Sequence, residues 1–328
     1  MIILCILLIL LCAYAGLSFA SFHIHLHRYP GPGKKHGFRV PGLPDMSPYR
    51  ALRDEAQKRW EEAEKEPLEL ISYDGLRLKG LFFPAKNARG TAVLSHGYHC
   101  SARHDFCDRL GVYLDRGFNV LLFDQRGCGK SEGKYVTMGV KESRDLGAWC
   151  RLAAEKAPGL PLLVHGMSMG GAAVLMAADV LPEETRALII DCAFCTPHET
   201  VGYVFTETPL LGSRFLLPGV ELWARLLAHF SLWEKDTTVC LRKNRLPVFF
   251  THGDADNLVP EECTHRNDAA CPSPHEVLII PGAGHTECYL KARDRVLAAL
   301  DAFLGKYFFT EIKESFTNKD KGGNDTAG

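Results

Sequence analysis

One serine of the chain lies in a pattern that dictates its backbone geometry. Residues 162–172 read LLVHGMSMGGA, in which an apolar run stops at Gly166 and a helix-forming stretch begins around Ser168. A G-x-S-x-G sequence in this context predicts a tight strand–turn–helix elbow with a strained serine at its apex. Glycine is needed at positions 166 and 170 because a Cβ there would collide with the adjoining strand or helix. The pattern predicts that the Ser168 hydroxyl stands above a sheet edge as a nucleophile.

A base and an acid for this serine are predicted in two later loops. The buried-strand pattern LPVFF is followed by a loop with Asp254 and Asp256, and the pattern EVLII is followed by a loop with His285. Because the carboxyl ends of parallel strands share one edge of a sheet, both loops should meet Ser168 there. We predict that His285 is the base and favour Asp256 over Asp254 as the acid that orients it. Either aspartate has the alternative of bonding its own turn backbone.

Two backbone amides are candidates for an oxyanion hole. The strand TAVLS runs into His96-Gly97-Tyr98, where the glycine allows a close approach and the Tyr98 amide can point at a developing oxyanion. The amide of Met169, the residue after the nucleophile, would be the second donor. We expect His96 to support the loop by hydrogen bonding rather than to act as an acid or base. Since a serine triad uses only side chains and water, we expect no cofactor and no metal.

The rest of the sequence alternates strand and helix patterns. A hairpin with an Asp-Gly turn is predicted over residues 68–83, and buried strands then alternate with helices of 12 to 18 residues. This alternation predicts an α/β fold with a mostly parallel central sheet flanked by helices. Residues 195–245 break the alternation and are rich in aromatic residues and leucine. We predict that they form an inserted helical lid, with ordinary core-packing helices as the alternative.

Five motifs of the chain occur in the same order in a known superfamily. They are HGY at 96–98, DQRGCGKSEGKY at 124–135, GMSMGG at 166–171, HGDADNLVP at 252–260 and PGAGH at 281–285. On these motifs the chain resembles the α/β-hydrolase superfamily, in its serine-aminopeptidase-like and monoacylglycerol-lipase-like branch. The resemblance implies the α/β-hydrolase fold and a hydrolytic triad, and the family pattern HGxxDxxVP puts the acid at Asp256. It implies no substrate, because this superfamily acts on many.

The first 22 residues contain no charged side chain and are long enough to cross a bilayer as one helix. The alternative is a signal peptide cleaved after Ala20, followed by secretion. Arg28, Lys34 and Lys35 follow the apolar run, so the positive-inside rule predicts a single-pass membrane protein with a cytosolic catalytic domain. We expect the anchor to be independent of the site, so that a chain without residues 1–22 would be soluble and active.

The predicted organisation has four parts. After the anchor come a linker and charged helix (23–66), the hydrolase domain (67–308) and a disordered tail (309–328). A net charge of −1 does not indicate binding to nucleic acid, which basic proteins favour. The twelve cysteines include no pair of C-x-x-C motifs for a metal, and reduced thiols fit a cytosolic domain.

The predicted function is a serine hydrolase that cleaves a small-molecule carboxylic ester. An apolar lid and membrane attachment favour hydrophobic acyl substrates. A peptidase or amidase with the same triad is the alternative within this class. A non-catalytic binding or scaffold protein of the same fold is the alternative outside it.

Overall fold

Eight strands form one sheet in the part of the chain that the structure describes. The computed structural model describes residues 1–28, 43–206 and 214–310. The strands are β1 (Glu66–Ile71), β2 (Arg77–Phe83), β3 (Gly90–Ser95), β4 (Phe118–Phe123), β5 (Leu162–Met167), β6 (Thr185–Asp191), β7 (Val248–Gly253) and β8 (His275–Ile280). Their order across the sheet is β1-β2-β4-β3-β5-β6-β7-β8. β2 runs antiparallel to both neighbours, and the other pairings are parallel.

The helices cover both faces of this sheet, apart from the N-terminal helix, which packs against another helix. They are α1 (Ile2–Leu26), α2 (Arg50–Glu62), α3 (Ala102–Asp115), α4 (Glu142–Lys156), α5 (Met169–Met176), α6 (Pro197–Thr206), α7 (Leu217–Trp223), α8 (Thr237–Leu241), α9 (Glu262–Ala270), α10 (Cys288–Lys291) and α11 (Arg293–Phe303). Short 3-10 turns lie at Ser47–Tyr49 and Arg214–Leu216, and π turns at Ala224–Ala228 and Leu304–Phe308. The predicted fold class, a mostly parallel sheet flanked by helices, is confirmed.

The central strands are buried on both faces, which explains their unbroken apolar sequences. On one face Phe106 and Phe249 belong to a large apolar cluster with α3 and α11. On the other face Trp149 of α4 stacks on Phe123 with ring centroids 5.2 Å apart. The predicted hairpin is present as β1 and β2, and its turn contains Gly75 at φ +87°, a conformation that favours glycine.

The register of the parallel strands brings the predicted site loops to one edge. Ser95 at the end of β3 pairs with Gly166 of β5, and Met167 pairs with Asp191 at the end of β6. Gly253, the last residue of β7, pairs with Ile280 at the end of β8. The loops that follow these strands therefore leave the sheet side by side.

A helical layer lies over this edge. It is formed by the described residues 195–206 and 214–245, which we call the cap, and it includes α6, α7 and α8. Residues 207–213 of the predicted lid lie outside the described residues. Met169 of α5 and Val201 and Val220 of the cap are buried in a common apolar cluster. That the cap acts as a lid stays a prediction.

The N-terminal helix is longer than predicted and contacts the cap. α1 continues to Leu26, and Ser18, Ser21, Phe22 and Leu26 are buried against the domain. Part of the segment that we expected to be independent of the site thus packs on the protein, because an apolar composition suits protein contacts as well as lipid. That a chain without residues 1–22 is soluble and active stays a prediction. Residues 29–42 of the predicted linker and charged helix (23–66), with Lys34 and Lys35, and residues 311–328 of the predicted tail (309–328) lie outside the described residues.

Candidate active site

The serine elbow has the strained geometry that its sequence predicts. Ser168 has φ +54° and ψ −119°, and its N–H donates to the carbonyl of Asp191 over 2.7 Å. A Cβ at Gly166 would lie 2.3 Å from the Gly170 carbonyl oxygen, and one at Gly170 would lie 1.9 Å from that of Ser95. Only glycine fits these two positions, so the sequence can close the turn and present the Ser168 side chain at the sheet edge.

A chain of hydrogen bonds links this serine to a histidine and an aspartate. His285 Nε2 lies 2.8 Å from Ser168 Oγ, and His285 Nδ1 lies 2.6 Å from Asp256 Oδ2. Because a carboxylate only accepts, Nδ1 carries the imidazole proton and Nε2 is left to accept from the serine. Asp254 lies elsewhere, exposed, with Oδ1 accepting from the Gly282 N–H over 2.5 Å. The structure thus brings together the three predicted residues and leaves Asp254 in a turn.

The Asp256 carboxylate is buried but well supported. Its Oδ1 accepts the N–H groups of Leu258 and Val259, each over 2.8 Å. Burial alone would raise its pKa, but the nearby His285 and hydrogen bonds from His252, His285 and the backbone outweigh this and hold the pKa well below its usual range. The group is therefore a carboxylate whenever the protein is folded near neutral pH, as an orienting acid must be.

A second histidine touches the same carboxylate, and the sequence reasoning missed it as a site residue. His252 Nε2 lies 2.9 Å from the carbonyl of Val259 and 3.2 Å from Asp256 Oδ2, while Nδ1 lies 2.7 Å from Thr264 Oγ1. Burial lowers the pKa of His252, but the contacts with Asp256 reverse this and raise it overall. The signal in the sequence was a histidine four residues before the acid, at the end of a strand.

The loop after β3 lies directly beside the serine. A Cβ on Gly97 would lie 3.5 Å from Ser168 Cβ, and the Gly97 N–H donates to Asp105 Oδ2 over 2.7 Å. Tyr98 follows on this loop, and its phenol donates to the carbonyl of His25 in α1. On the other side of Ser168, Met169 begins α5. Both predicted oxyanion residues thus flank the serine, and their role stays a prediction.

The ring of His96 is fully engaged in holding this loop. The Gln125 N–H donates to Nε2 over 2.9 Å, so the proton is on Nδ1, which donates to the Gly97 carbonyl over 2.8 Å. His96 is completely buried. A neutral imidazole with both nitrogens occupied fits the predicted supporting role.

Comparisons with known proteins agree with this architecture. Residues 86–241 match the family model of the serine aminopeptidase S33 type. The uncharacterized protein YqkD of Bacillus subtilis is 27% identical over 75% of this chain and 81% of its own length. A monoacylglycerol lipase of Mycolicibacterium smegmatis is 33% identical over 42% of this chain and 50% of its own length. The solved Pyrococcus furiosus esterase Pf2001 superposes with a TM-score of 0.61 at 23% identity, covering 83% of this chain and 99% of that one.

Together with the fold, these matches support the α/β-hydrolase superfamily for this chain. The solved esterase agrees with it in fold over most of the chain, and the names of the matched proteins point to different substrates. The fold alone therefore does not choose between substrates, and the surroundings of Ser168 in this hydrolase carry that argument.

An apolar pocket of the hydrolase opens beside Ser168. Apart from the serine, its lining is apolar or aromatic except for one threonine: Tyr98, Met138, Phe194, Thr200, Val201, Leu258 and Val259. Thr200 turns its hydroxyl to the Thr196 carbonyl over 2.9 Å, which removes its donor from the pocket. No charged side chain lines this pocket among the described residues. Its volume of about 20 Å³ accommodates only a small group, and its lining suits a hydrocarbon attached to the reacting carbonyl.

Two groups of potential metal ligands occur among the described residues. One consists of Cys192 with two residues of the hydrogen-bonded chain, Asp256 and His285. The other joins Cys100, His104 and Asp105, with Cys100 Sγ 2.8 Å from His104 Nδ1 and 2.7 Å from Asp105 Oδ1. The hydrogen bond between His285 and Asp256 accounts for two residues of the first group. Hydrogen bonds account for the second group, in which Asp105 is also used by the Gly97 amide.

Proposed function

We propose that this hydrolase cleaves carboxylic esters with apolar acyl groups, with Ser168 as nucleophile, His285 as general base and Asp256 as orienting acid. The observation that carries the proposal is the unbroken hydrogen-bonded chain from Ser168 Oγ through His285 to Asp256 at the mouth of an apolar pocket. A nucleophile, a base within hydrogen-bond reach and a buried acid are the parts that acyl transfer requires.

In the proposed first step, Ser168 Oγ attacks the ester carbonyl carbon as its proton passes to His285 Nε2. The tetrahedral oxyanion would accept hydrogen bonds from the amides of Tyr98 and Met169. The charged imidazolium is stabilised by Asp256, 2.6 Å from Nδ1. When the intermediate collapses, the carbon–oxygen bond to the alcohol breaks and the alcohol leaves with the proton from Nε2. Water then repeats the sequence on the acyl-enzyme, releasing the acid and restoring Ser168.

The pocket favours an ester over the peptidase alternative. An aminopeptidase needs an acidic group to bind the substrate ammonium, and no acidic side chain lines the pocket among the described residues. The match to a monoacylglycerol lipase supports the same choice, while the match to the serine aminopeptidase family model keeps a peptidase as the alternative. A non-catalytic scaffold would have no need for a strained serine or a buried carboxylate, each of which costs stability.

We also propose that α1 attaches the hydrolase to a membrane. α1 is apolar enough to cross a bilayer, and signal sequences share this property. Residues 2–13 precede the first hydrogen bond to the cap, at Tyr14, and span about 18 Å. A hydrocarbon core is about 30 Å thick, so a spanning α1 would also bring its contact with the cap into the membrane. The exposed cap residues Phe215, Leu222 and Leu226 suit that environment.

The proposed orientation puts the catalytic domain in the cytosol. Arg28, which follows α1, donates to the carbonyls of Gly129 and Ser131 over 2.7 and 2.6 Å and so lies on the side of the domain. Cleavage after Ala20 would remove the hydrogen bond between Ser18 and Trp223, which supports an uncleaved helix. A mature N-terminus at Ser21, or digestion of the domain by protease added outside intact cells, would contradict this orientation.

A substrate panel tests the proposed activity. Purified full-length protein is assayed on p-nitrophenyl esters of increasing acyl length, on the matching anilides and on aminoacyl anilides. We expect ester cleavage that Ser168→Ala removes and that Ser47→Ala, a change of an exposed serine outside the pocket, leaves intact. Preferred cleavage of aminoacyl anilides would replace the proposal with a peptidase, and equal activity of the Ser168→Ala variant would exclude a serine mechanism.

A further inference from the structure

The C-terminal turn of α1 is bound to the loop that holds a proposed oxyanion donor. The last carbonyls of a helix have no partner within it and must find one elsewhere. Here the His25 carbonyl accepts from the Tyr98 phenol and lies 3.0 Å from His99 Nε2, and the Leu26 carbonyl accepts the Val136 N–H over 2.8 Å. Two consecutive side chains of the oxyanion loop therefore point at one carbonyl of the N-terminal helix.

The loop needs such support because its backbone is strained. His99 has φ +49°, a left-handed conformation that residues other than glycine adopt only when their surroundings hold them there. From inside the domain, Asp105 fixes the loop through the Gly97 amide, and His96 fixes it through the Gly97 carbonyl. Tyr98 lies beyond both contacts, and its hydroxyl bonds α1.

α1 is in turn fixed by its contact with α7. The Trp223 indole donates to Ser18 Oγ over 3.2 Å, and the Gly219 N–H donates to the Tyr14 hydroxyl over 3.1 Å. The helices approach so closely that a Cβ on Gly219 would lie 2.4 Å from Ser18 Cβ. Phe22, one turn further along, is fully buried and faces Tyr135 with ring centroids 5.2 Å apart.

We infer that the C-terminal part of α1, residues 18–26, is a positioning element of the active site that holds Tyr98 so that its amide faces the reacting carbonyl. This inference rests on the proposed ester hydrolysis. It makes catalysis depend on the docking of the N-terminal helix, so that the helix has a second role besides attachment. A shift of about 1 Å in a catalytic group can lower a rate by about 100-fold, so a modest movement of the loop is enough to matter.

The test uses full-length protein in detergent micelles. Tyr98→Phe removes only the oxygen that bonds α1 and keeps the backbone amide. Gly219→Ala puts a methyl group into the contact with Ser18 and should push α1 away from α7. Gly16→Ala is the matched control, since a Cβ at Gly16 of α1 meets nothing within 4 Å. The substrate is p-nitrophenyl acetate, which is water-soluble and does not need delivery from a membrane.

We expect Tyr98→Phe and Gly219→Ala each to lower kcat by about 10-fold with KM within twofold, and Gly16→Ala to match wild type. The double variant should be no worse than the worse single variant, because both changes break one connection. Affinity for a trifluoromethyl ketone, which forms an oxyanion on Ser168, should fall in parallel with kcat/KM. The inference would be overturned if the two substitutions lowered kcat by independent factors that multiply in the double variant. It would also be overturned if both single variants kept the kcat and KM of wild type.

A second readout does not depend on activity. Hydrogen exchange of the amides at 97–99 should speed up at least about tenfold in Gly219→Ala and stay as in wild type in Gly16→Ala. Unchanged exchange in Gly219→Ala would also overturn the inference. If no ester is cleaved by wild type but exchange responds as expected, the proposed function fails while the contact between α1 and the loop stands.

Discussion

Replacing the acid by its amide should stop the reaction by forcing the wrong histidine tautomer. In Asp256→Asn, the side-chain oxygen must stay where Oδ1 is, since it accepts the N–H groups of Leu258 and Val259 over 2.8 Å each. The new NH2 group then faces His285 Nδ1, which is 2.6 Å from Oδ2 in wild type. Two donors cannot bond, so the imidazole proton moves to Nε2, and Nε2 can no longer accept from Ser168.

The loss should be about 10³ to 10⁴-fold in kcat, which corresponds to about 4 to 5.5 kcal/mol in the activation barrier. Rotating the new amide of Asp256→Asn by 180° does not restore the wild-type hydrogen bonds, because its NH2 would then face the backbone N–H groups of Leu258 and Val259. That would leave two hydrogen bonds unmade at about 1 to 3 kcal/mol each. His252 Nε2, 3.2 Å from Oδ2, would face the NH2 group as well and adds to the mismatch.

The assay is kcat and KM on a short soluble ester, with thermal melting to show that each variant is folded. Asp254→Asn is the matched control, because it lies two residues away, is exposed and can still accept the Gly282 N–H through its amide oxygen. We expect the control to stay within about threefold of wild type. A folded Asp256→Asn variant within tenfold of wild type, or a crippled Asp254→Asn variant, would refute the reasoning.

Three further outcomes follow from the geometry. Gly170→Ala puts a methyl group 1.9 Å from the Ser95 carbonyl oxygen, so we expect a loss of about 3 kcal/mol or more in unfolding free energy; a melting temperature like that of wild type would contradict this. His252→Gln weakens the support of Asp256 and should lower kcat about 10-fold at constant KM, whereas a change in KM alone would point to substrate contact. Burial raises the pKa of Asp74, but hydrogen bonds from Arg126 and Ser72 lower it overall to about 2. The charged Asp74 therefore stabilises the fold fully above about pH 4, the pKa of an unfolded aspartate, and this stabilisation is lost as the pH falls toward 2. The melting temperature of Asp74→Asn should consequently fall less over that range than that of wild type.

The parts of the site that depend on local chain geometry could be predicted from sequence. The elbow around Ser168 needs glycine at fixed offsets, and the loops with Asp256 and His285 follow strands whose ends share one edge. Helix ends do not follow from the pattern in the same way. The sequence predicts helices of 12 to 18 residues, whereas α5 has 8 and ends at Met176, where the Ala177 N–H donates to a carbonyl three residues back and closes the last turn.

Two features could not be predicted because the sequence does not distinguish their alternatives. An apolar helix has the same composition whether lipid or protein covers it, so the burial of residues 18–26 of α1 gave no separate signal. In the sequence, only the small residues Ser18 and Gly219 indicate this contact, since closely packed helices meet at small residues. The contact of His252 with Asp256 joins the end of β7 to the loop that follows it, where no periodicity relates residues four apart.

The most direct test of the account is covalent labelling of the nucleophile. Full-length protein is treated with a fluorophosphonate, digested and analysed by mass spectrometry, with Ser168→Ala and Asp256→Asn alongside. The account predicts one phosphonylated residue, Ser168, no labelling of the Ser168→Ala variant, and labelling slowed by at least about 100-fold in Asp256→Asn because the base is lost. Labelling of another serine, or equal labelling rates in wild type and Asp256→Asn, would contradict the triad on which the proposed function depends.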